Sequence, residues 1–333
     1  MAILVTGGAG YIGGHMVLAL LDAGEKPVVI DNMSNGVPWA VPAGVPFVFG
    51  DVGDHELVSR VLREHEVDTI IHFAAQLITP GLYNDPLAYY QANTVKSRTL
   101  LSAASDHGVK HVIYSATAAV YGNPVSNPVA EDAAIAPISP YGTSKLITEY
   151  MLRDVSAVSD LRYAALRYFN VAGADPAGRY GQSTTKTTLL VQIAAQAALG
   201  TRPYMEIFGD DYPTVDGTCV RDYIHVTDLA NAHLSALRHL RAGGDNITVN
   251  CGYGRGYSVR QVLEMAREVS GNEFEIRVGP RRLGDAIEVV ADARLIRQKL
   301  DWTPKYDDLR TIMEHAIAWE RTIQARYRFD TRV

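Results

Sequence analysis

A tyrosine and a lysine four residues apart, Tyr141 and Lys145, lie in a segment with the pattern of a helix. Side chains at this spacing share one face of a helix, one turn apart. A nearby ammonium favours the phenolate form of a tyrosine, whose free pKa is about 10. Thr117, just after an apolar run, is placed to relay a proton between a substrate hydroxyl and this tyrosine. The three residues predict an acid–base centre; the alternative is an interfacial tyrosine, a surface lysine and a strand-end hydroxyl.

A glycine-rich run, TGGAGYIG at 6–13, follows the first apolar segment and opens a helical one. Gly7 suits a tight turn, Gly10 lets backbone N–H groups approach a pyrophosphate, and Gly13 lets helix and strand pack closely. The N-terminus of the helix adds partial positive charge for the phosphates. The pattern predicts a dinucleotide-binding loop, although a plain turn also uses glycines.

Asp31 follows Gly13 by 18 residues, at the end of the second apolar run. A carboxylate there accepts hydrogen bonds from the adenosine ribose and repels a 2′-phosphate, which favours NAD over NADP. The alternative is an ordinary aspartate that starts a turn. Asp51 and Val52 follow the third run and are placed to meet the adenine.

A phenolate at Tyr141 near neutral pH requires about 4 kcal/mol, which Lys145 and the charge of NAD⁺ are expected to supply together.

The first half of the chain alternates short β-branched runs with amphipathic segments. The predicted strands are Ile3–Thr6, Pro27–Asp31, Pro46–Phe49, Thr69–Ala74, His111–Ser115 and Tyr163–Tyr168. The predicted helices are Gly13–Ala23, Glu56–His65, Leu87–His107 and Pro140–Val155. This alternation predicts an α/β fold with a Rossmann-like, doubly wound parallel sheet and right-handed crossovers.

After Asn170 the alternation stops, and residues 171–188 have the composition of a loop. Further helices are predicted at Leu189–Leu199, Val259–Val269 and Leu309–Arg326. We therefore expect a smaller α/β substrate-binding domain, with the site in the cleft between the two. The expected division gives residues 1–169 and about 219–243 to the NAD-binding domain, and residues 170–218 and 244–333 to the other.

The composition excludes several classes of protein. The 333 residues carry a net charge of −6 and no long basic run, which argues against a nucleic-acid partner. No apolar stretch reaches the roughly 20 residues that cross a bilayer, and the opening lacks the pattern of a secretion signal. Cys219 and Cys251 are the only cysteines, without metal-site spacing. We expect a cytoplasmic protein with no metal and no membrane partner.

At this point the chain resembles the extended short-chain dehydrogenase/reductase superfamily, and within it the UDP-glucose (UDP-galactose) 4-epimerases. The resemblance rests on TGGAGYIG, the Asp31-Asn32 pair, HFAA at 72–75, YGTSK at 141–145 and RYFN at 167–170. The blocks IFGDDYPT at 207–214, DGTCVRDYIHVTDLA at 216–230 and PRRLGD at 280–285 are more specific, because dehydrogenases generally lack them.

The resemblance implies C4 inversion of a UDP-hexose with NAD, with Tyr141 as acid/base, Lys145 as its electrostatic partner and Thr117 as the hydroxyl relay. The implied cofactor-binding residues are Gly7, Gly10, Tyr11, Ile12, Asp31, Asn32, Asp51, Val52, Phe73, Ala74, Ala75, Asn93, Ser115, Tyr141, Lys145 and Tyr168. The implied substrate-binding residues are Thr117, Phe169, Asn170, Leu189, Phe208, Arg221, Tyr223, Arg282, Asp285 and Val289. Arg221 and Arg282 suit a diphosphate, which favours bidentate donors. The resemblance also implies a homodimer through Leu87–His107 and Pro140–Val155.

Val289, seven residues after Arg282, occupies the position that gates the hexose in the resembled family. A small residue there leaves room for an N-acetyl group, so UDP-N-acetylglucosamine and the pentose UDP-xylose are further candidate substrates; the alternative is a buried strand residue. Three positions depart from the family pattern: Thr117 where serine is frequent, Leu77 where some members have lysine, and Thr188-Leu189 where some have an amide-containing pair.

Other activities remain open on the same scaffold. A sugar 4,6-dehydratase places Asp-Glu directly after the threonine, whereas this chain has Ala118 and Ala119, which transfer no protons. The same gap argues against a glutamate-dependent decarboxylase. A keto-sugar reductase needs only the tyrosine, the lysine and a hydride. A non-catalytic NAD-binding protein typically lacks the tyrosine, which Tyr141 argues against.

Overall fold

A seven-stranded parallel sheet forms the centre of the protein, in the strand order β10-β6-β5-β4-β1-β2-β3. The computed structural model describes residues 1–77, 85–184, 187–282 and 284–330, with side chains up to 326. The strands of this sheet are β1 (Ala2–Thr6), β2 (Pro27–Asp31), β3 (Phe47–Phe49), β4 (Val67–His72), β5 (His111–Thr117), β6 (Arg162–Tyr168) and β10 (Ile247–Cys251). Because all pairings are parallel, the carboxyl ends of the strands meet at one edge, where the predicted site residues follow them.

The helices of the described chain cover both faces of this sheet and also pack in the second half of the chain. They are α1 (Tyr11–Asp22), α2 (His55–Glu64), α3 (Pro86–Tyr89), α4 (Lys96–Asp106), α5 (Pro140–Ala157), α6 (Leu190–Ala198), α7 (Val226–Arg241), α8 (Val259–Ser270), α9 (Arg294–Leu300) and α10 (Leu309–Asp330). Helices α1 and α7 share one apolar core with the sheet, and α2, α4 and α5 share the other. This is the predicted doubly wound α/β fold, and each predicted strand is found within about two residues of its expected bounds.

One predicted helix is interrupted. The continuous helix expected over Leu87–His107 is wrong at Tyr90–Val95, where a π-helical turn separates α3 from α4. Such turns insert one extra residue and often occur at functional sites. Here the turn carries Asn93, whose side chain is almost completely buried and hydrogen bonded. Local periodicity does not reveal this turn, because its stabilising partners are distant in sequence.

The second half of the chain builds two smaller sheets. β9 (Val220–His225) pairs with β7 (Asn170–Ala172), β11 (Gly256–Ser258) and β13 (Glu288–Val289), while β8 (Tyr204–Phe208) pairs with β12 (Glu275–Gly279). Helices α6, α8 and α10 share a separate apolar core beside them. Strand pairing does not follow the expected division everywhere: β10 extends the main sheet, whereas β9 lies in a small one. Within the described residues, no helix has the length and apolar character that crossing a membrane requires.

Candidate active site

The glycine-rich run forms a close-fitting loop between β1 and α1. Gly7 has φ of +70°, and a Cβ there would lie 2.8 Å from the backbone nitrogen of Ala74. A Cβ on Gly13 would collide with the carbonyl group of Gly7. The loop therefore needs glycine at both positions, as the sequence predicts. Gly10 is the residue before α1, and no side chain caps the helix there, so its first N–H groups are available to an anion, a role that suits the pyrophosphate of a dinucleotide.

Asp31 lies directly beside this loop at the end of β2. Its carboxylate accepts the N–H of Ala9 at 3.0 Å and that of Met33 at 2.8 Å. Burial raises the pKa of Asp31, and these two hydrogen bonds oppose the rise. A carboxylate has about four lone-pair sites, so two remain for a pair of ribose hydroxyls. The glycine cradle and this carboxylate together fit NAD.

The other predicted adenosine residues lie next to Asp31. Asp51 binds Lys96 through its Oδ2 atom at 2.5 Å, and the same oxygen accepts the amide of Asn32 at 3.1 Å. The Lys96 ammonium helps hold the pKa of Asp51 below its usual value. Val52 is buried in the sheet core. Lys96, on the first turn of α4, is a neighbour of the predicted adenine site that the motif analysis did not identify.

Asn93 joins the cofactor side to the catalytic helix. Its Oδ1 accepts the N–H of Gln76 at 2.7 Å, and its Nδ2 donates to the Ser144 hydroxyl at 3.1 Å. The Ser144 hydroxyl in turn donates to the carbonyl of Tyr141 at 2.8 Å. The segment after HFAA, which carries Phe73, Ala74 and Ala75, is thus fixed relative to Tyr141. The exposed Leu77 ends this described stretch of chain.

His72 is a site residue whose role the sequence analysis missed. Its ring nitrogens contact the Thr6 hydroxyl at 2.7 Å and the Ser97 hydroxyl at 2.9 Å. Burial, with the nearby Lys145 ammonium, lowers the pKa of His72 to about 3, so its ring is neutral. Thr6 and His72 stand in the TGGAGYIG and HFAA blocks, and that position was the available signal. Thr6 and His72 are paired between β1 and β4, where Thr6 comes immediately before Gly7 of the glycine-rich loop.

The three predicted catalytic residues come together at the ends of β5 and α5. Thr117 is the last residue of β5, and its side chain hydrogen bonds with that of Tyr141. The first turn of α5 carries Tyr141 and lies close to the turn that follows β5. Residue 142 must be glycine for this approach, because a Cβ there would lie 2.7 Å from the carbonyl oxygen of Ala119. Lys145, one turn later, is buried with its Nζ 4.5 Å from the centre of the Tyr114 ring.

The protonation of this centre is governed by its burial. Burial raises the pKa of Tyr141 to about 12, and the hydrogen bond from Thr117 opposes the rise. Burial also lowers the pKa of Lys145 to about 7, which reduces the share of charged lysine near neutral pH. A partly neutral lysine favours a phenolate less than a fully charged one does. The protein alone therefore keeps Tyr141 protonated, and a further positive charge is needed to make it a base.

Glu149, one turn beyond Lys145 on α5, is a second residue that the motif analysis missed. Its carboxylate accepts from the Arg167 guanidinium, with Nη2 2.7 Å from Oε2 and Nε 3.1 Å from Oε1. Both side chains are buried. The Glu149 charge raises the pKa of Lys145, against the effect of burial. The regular spacing of Tyr141, Lys145 and Glu149 along one face of a helix was the signal for this residue.

Residues at the end of β6 complete the catalytic side. The hydroxyl groups of Ser115 and Tyr168 form a short hydrogen bond. Burial, and then the neighbouring Tyr141, raise the pKa of Tyr168, which keeps it neutral. Asn170 and Phe169 follow, with Asn170 paired to Tyr223 between β7 and β9. Tyr223 is buried within the core of the second half.

The predicted nucleotide residues lie farther along, on exposed ends of the small sheets. Phe208 ends β8 and is about 40% exposed. The Arg282 guanidinium lies 5.2 Å from the centre of the Phe208 ring. Arg282 also binds the carboxylate of Asp285, with Nη2 to Oδ1 at 2.9 Å. An aromatic face with an arginine beside it suits a planar base and a phosphate.

Arg221 and Val289 meet where β9 pairs with β13. The Arg221 Nη2 atom donates to the carbonyl of Ala286 at 2.6 Å, and Nη1 to that of Val220 at 2.8 Å. Arg221 thus holds the segment that carries Val289. Val289 is buried in a small cluster with Leu146 and, more loosely, Phe169. This position fits both the gate and the buried strand residue weighed from the sequence. Leu189, half-buried before α6, follows the exposed Thr188.

A family model described as the NAD dependent epimerase/dehydratase family matches residues 3–252. A UDP-glucose 4-epimerase of Azospirillum brasilense is 54% identical over 322 residues, which cover 97% of this chain and 92% of that protein. A UDP-glucose 4-epimerase from Brucella ovis, solved in complex with NAD, superposes with a TM-score of 0.91 at 42% identity, over 95% of this chain and 97% of that one.

A UDP-Glc/GlcNAc 4-epimerase from Campylobacter jejuni superposes with a TM-score of 0.83 at 42% identity, over 96% of this chain and 99% of that one. These matches extend over nearly the full length of both proteins in each case. They include the second half of the chain, which carries the blocks that distinguish this site from that of a general dehydrogenase. The chain belongs to the NAD dependent epimerase/dehydratase family.

Proposed function

We propose that this protein is an NAD-dependent UDP-hexose 4-epimerase, which interconverts UDP-glucose and UDP-galactose. The observation that carries the proposal is the meeting of Thr117, Tyr141 and Lys145 beside a glycine cradle and Asp31. Relatives of matching length are UDP-glucose 4-epimerases, and one of them is solved with NAD. The main sheet forms the NAD-binding unit, and the small sheets form the nucleotide-sugar-binding unit.

The residues divide the reaction between proton transfer and binding. When bound, NAD supplies a reversible hydride acceptor and a positive charge. Tyr141 takes the proton of the C4 hydroxyl, and Thr117 holds that hydroxyl and Tyr141 in line. The sugar, oxidised at C4, turns about its phosphate linkage and is reduced on its other face, while Tyr141 returns the proton. Lys145 stabilises the phenolate in both directions.

The residues after β5 support inversion rather than elimination. Ala118 and Ala119 begin a 3₁₀ turn directly after Thr117, where a dehydratase needs an acid and a base. A methyl group can perform neither role. A keto-sugar reductase remains the second candidate, because it uses the same tyrosine and lysine. Net consumption of NADH distinguishes it, since an epimerase returns its hydride within each cycle.

Substrate breadth follows from Val289, which packs near Thr117 through the Ala118, Leu146 and Phe169 cluster. Valine is much smaller than tyrosine, which leaves space at C2 of the hexose. UDP-N-acetylglucosamine is therefore a second substrate of the same site. A relative that acts on both glucose and N-acetylglucosamine forms of UDP-sugar superposes at 42% identity, which supports this extension. UDP-xylose is a third candidate.

A panel of UDP-sugars tests the function directly. The purified protein is incubated with UDP-galactose, UDP-glucose, UDP-N-acetylgalactosamine and UDP-xylose, and C4 inversion is followed by coupled detection. We expect inversion of UDP-galactose without added reductant and with no net change in NADH. Stoichiometric NADH consumption would identify a reductase, and no inversion of any sugar would overturn the proposal.

We also propose that the protein assembles as a homodimer. A homodimer forms through α3, α4 and α5, the segments that the resemblance implicated. Leu87, Val95 and Tyr150 support this, because they are large side chains on these segments that remain 74%, 45% and 44% exposed in the single chain. Sedimentation at several concentrations tests it, and a monomer at micromolar concentration would contradict it. The cytoplasmic location stays a prediction from the sequence.

A further inference from the structure

The glycine-rich loop is held from outside by residues of both halves of the chain. The carbonyl of Ala9, at the centre of this loop, accepts the N–H of Val37 at 3.0 Å and the hydroxyl of Tyr180 at 3.3 Å. The N–H of Ala9 donates to Asp31. Ala9 is completely buried. The loop conformation therefore depends on the segment after Asp31 and on Tyr180, which follows Asn170 in the second half.

Three glycines allow this close packing. A Cβ on Gly36 would lie 2.8 Å from the Cβ of Ala9, so residue 36 must be glycine for the segment after Asp31 to cover the loop. A Cβ on Gly14 would collide with the ring of Tyr180, and one on Gly181 with the ring of Trp319. Gly36 thus admits the segment after Asp31 against the cofactor-binding loop, Gly14 admits the Tyr180 ring against α1, and Gly181 admits the Trp319 ring beside Tyr180.

Three aromatic rings close this arrangement. Trp39, from the segment after Asp31, lies 5.6 Å from the Tyr180 ring and 5.9 Å from the Trp319 ring. Tyr180 and Trp319 are 6.0 Å apart, measured between ring centres. The Trp319 indole also donates to the carbonyl of Gln182 at 3.0 Å. Trp319 belongs to α10, so this helix reaches across to the cofactor side.

Residues 173–180 also contact helix α1. The Tyr11 hydroxyl donates to the carbonyl of Gly173 at 2.6 Å. His15 contacts the carbonyls of Tyr11 at 2.7 Å and Tyr180 at 3.1 Å. Arg179 binds the Asp22 carboxylate at the far end of α1. The segment around Tyr180 therefore contacts α1 along its length, and Tyr180 has a fixed position.

We infer that Trp39, Tyr180 and Trp319 form an aromatic clasp whose opening limits the release of NAD. The inference rests on the proposed function, because it takes NAD as the occupant of the glycine cradle. The clasp joins the segment after Asp31 and Tyr180, which both contact Ala9 of the loop, to Trp319 of α10. Moving that loop away from Asp31 requires these contacts to separate.

The test measures retention of NAD rather than activity. Wild type, Trp319→Ala and Trp319→Phe are purified without added NAD, and bound NAD per chain is measured after dialysis. The rate of release is then followed after dilution into an NAD-consuming trap. Trp319→Ala removes two ring pairs and is expected to release NAD about tenfold faster or more. Trp319→Phe keeps a ring and should stay near wild type.

Two further variants separate the clasp from general stability. Trp39→Ala removes a half-buried ring of the clasp and is expected to accelerate release several-fold with little risk to folding. Phe274→Ala removes a ring from the core of the second half, away from the clasp, and should leave release unchanged. Circular dichroism confirms that each variant is folded. Release at the wild-type rate from folded Trp39→Ala, or acceleration by Phe274→Ala equal to that of the clasp variants, would overturn the inference. Wild-type protein that neither contains nor binds NAD would instead overturn the proposed function on which the clasp rests.

Discussion

The two halves of the candidate site differ in what already occupies their polar groups. On the cofactor side, Asp31 and Ala9 are buried and bound to each other, and Val37 and Tyr180 also hold the loop between β1 and α1 through Ala9. On the nucleotide-sugar side, Arg282 is about half-exposed and is paired with Asp285. To bind a diphosphate, the Arg282 guanidinium must share or exchange this carboxylate.

This contrast matches what an epimerase requires of its two ligands. A cofactor that is regenerated in every cycle can be held by a preformed, buried site, because it never has to leave. A substrate that exchanges in every cycle needs groups that can rearrange quickly. Substitutions on one side of the site should therefore change that side and leave the other unchanged.

Tyr141→Phe is expected to have the largest effect, since it removes only the hydroxyl that moves the proton. We expect kcat to fall about 10³- to 10⁴-fold. Bound NAD and the far-ultraviolet spectrum should match those of wild type. Turnover within tenfold of wild type would show that another group is the acid/base.

Asp31→Ala should damage the cofactor side alone. Loss of a charged acceptor for the ribose hydroxyls weakens NAD binding by about 10- to 100-fold, and loss of the repulsive charge improves NADP binding. Calorimetric titration with each cofactor measures both changes, and UDP binding to the NAD-loaded variant serves as the control. An unchanged preference for NAD over NADP would contradict the role of Asp31.

Arg282→Ala should damage the nucleotide side alone. We expect KM for UDP-galactose to rise about tenfold or more with NAD content unchanged, because a charged donor to the diphosphate is lost. Its neighbour Arg281 binds Asp211 and stacks on Tyr212, so Arg281→Ala is a matched control that removes the same charge. Equal effects of the two variants would show that Arg282 contributes only its charge and does not bind the diphosphate directly.

Val289→Tyr sharpens the comparison within the sugar pocket. The larger side chain should lower kcat/KM for UDP-N-acetylgalactosamine about tenfold relative to UDP-galactose, since it fills the space beside C2. Both values are measured on the same preparation. If the ratio is the same in wild type and variant, Val289 is a buried strand residue and not a gate.

Lys145→Met tests how much the buried Lys145 ammonium lowers the stability of the folded protein. The buried ammonium has its pKa lowered to about 7, so below pH 7 the folded protein carries its full desolvation penalty. That penalty decreases as pH rises from 7 toward 10.5, because the folded lysine is then neutral. Without NAD, Lys145→Met should raise the unfolding temperature by a few degrees at pH 6, and by less at pH 9.5. A difference from wild type that is the same at both pH values would contradict the lowered pKa.

Much of the cofactor side was predictable because its signals are local. The glycine spacing at 6–13 and Asp31 at the end of β2 require only a strand, a turn and a helix in sequence order. Tyr141 and Lys145 share a helix face by spacing alone. The family resemblance then pointed to Phe208 and Arg282 as substrate-binding residues, a role that stays a prediction and that no local pattern indicates.

Contacts between distant segments were not predictable in this way. Asn93 lies in a π-helical turn, and its partners, Gln76 and Ser144, are far from it in sequence, so no local pattern marks this turn. Trp39, Tyr180 and Trp319 come from three separate regions, and each alone has the pattern of an ordinary apolar residue. The raised pKa of Tyr141 depends on how deeply the folded protein buries it, which spacing does not reveal.

The edge strand β10 has a consequence for how the protein is made. It pairs with β6 from Ile247↔Ala164 to Cys251↔Tyr168, so the last strand of the main sheet is synthesised about 80 residues after its neighbour. Until Cys251 has left the ribosome, one edge of β6 lacks its partner strand, and that edge is open to wrong pairing. The intervening residues, including strands β7, β8 and β9 of the small sheets, emerge first. Completion of the dinucleotide-binding sheet is therefore a late step of folding, dependent on a loop closure of long range.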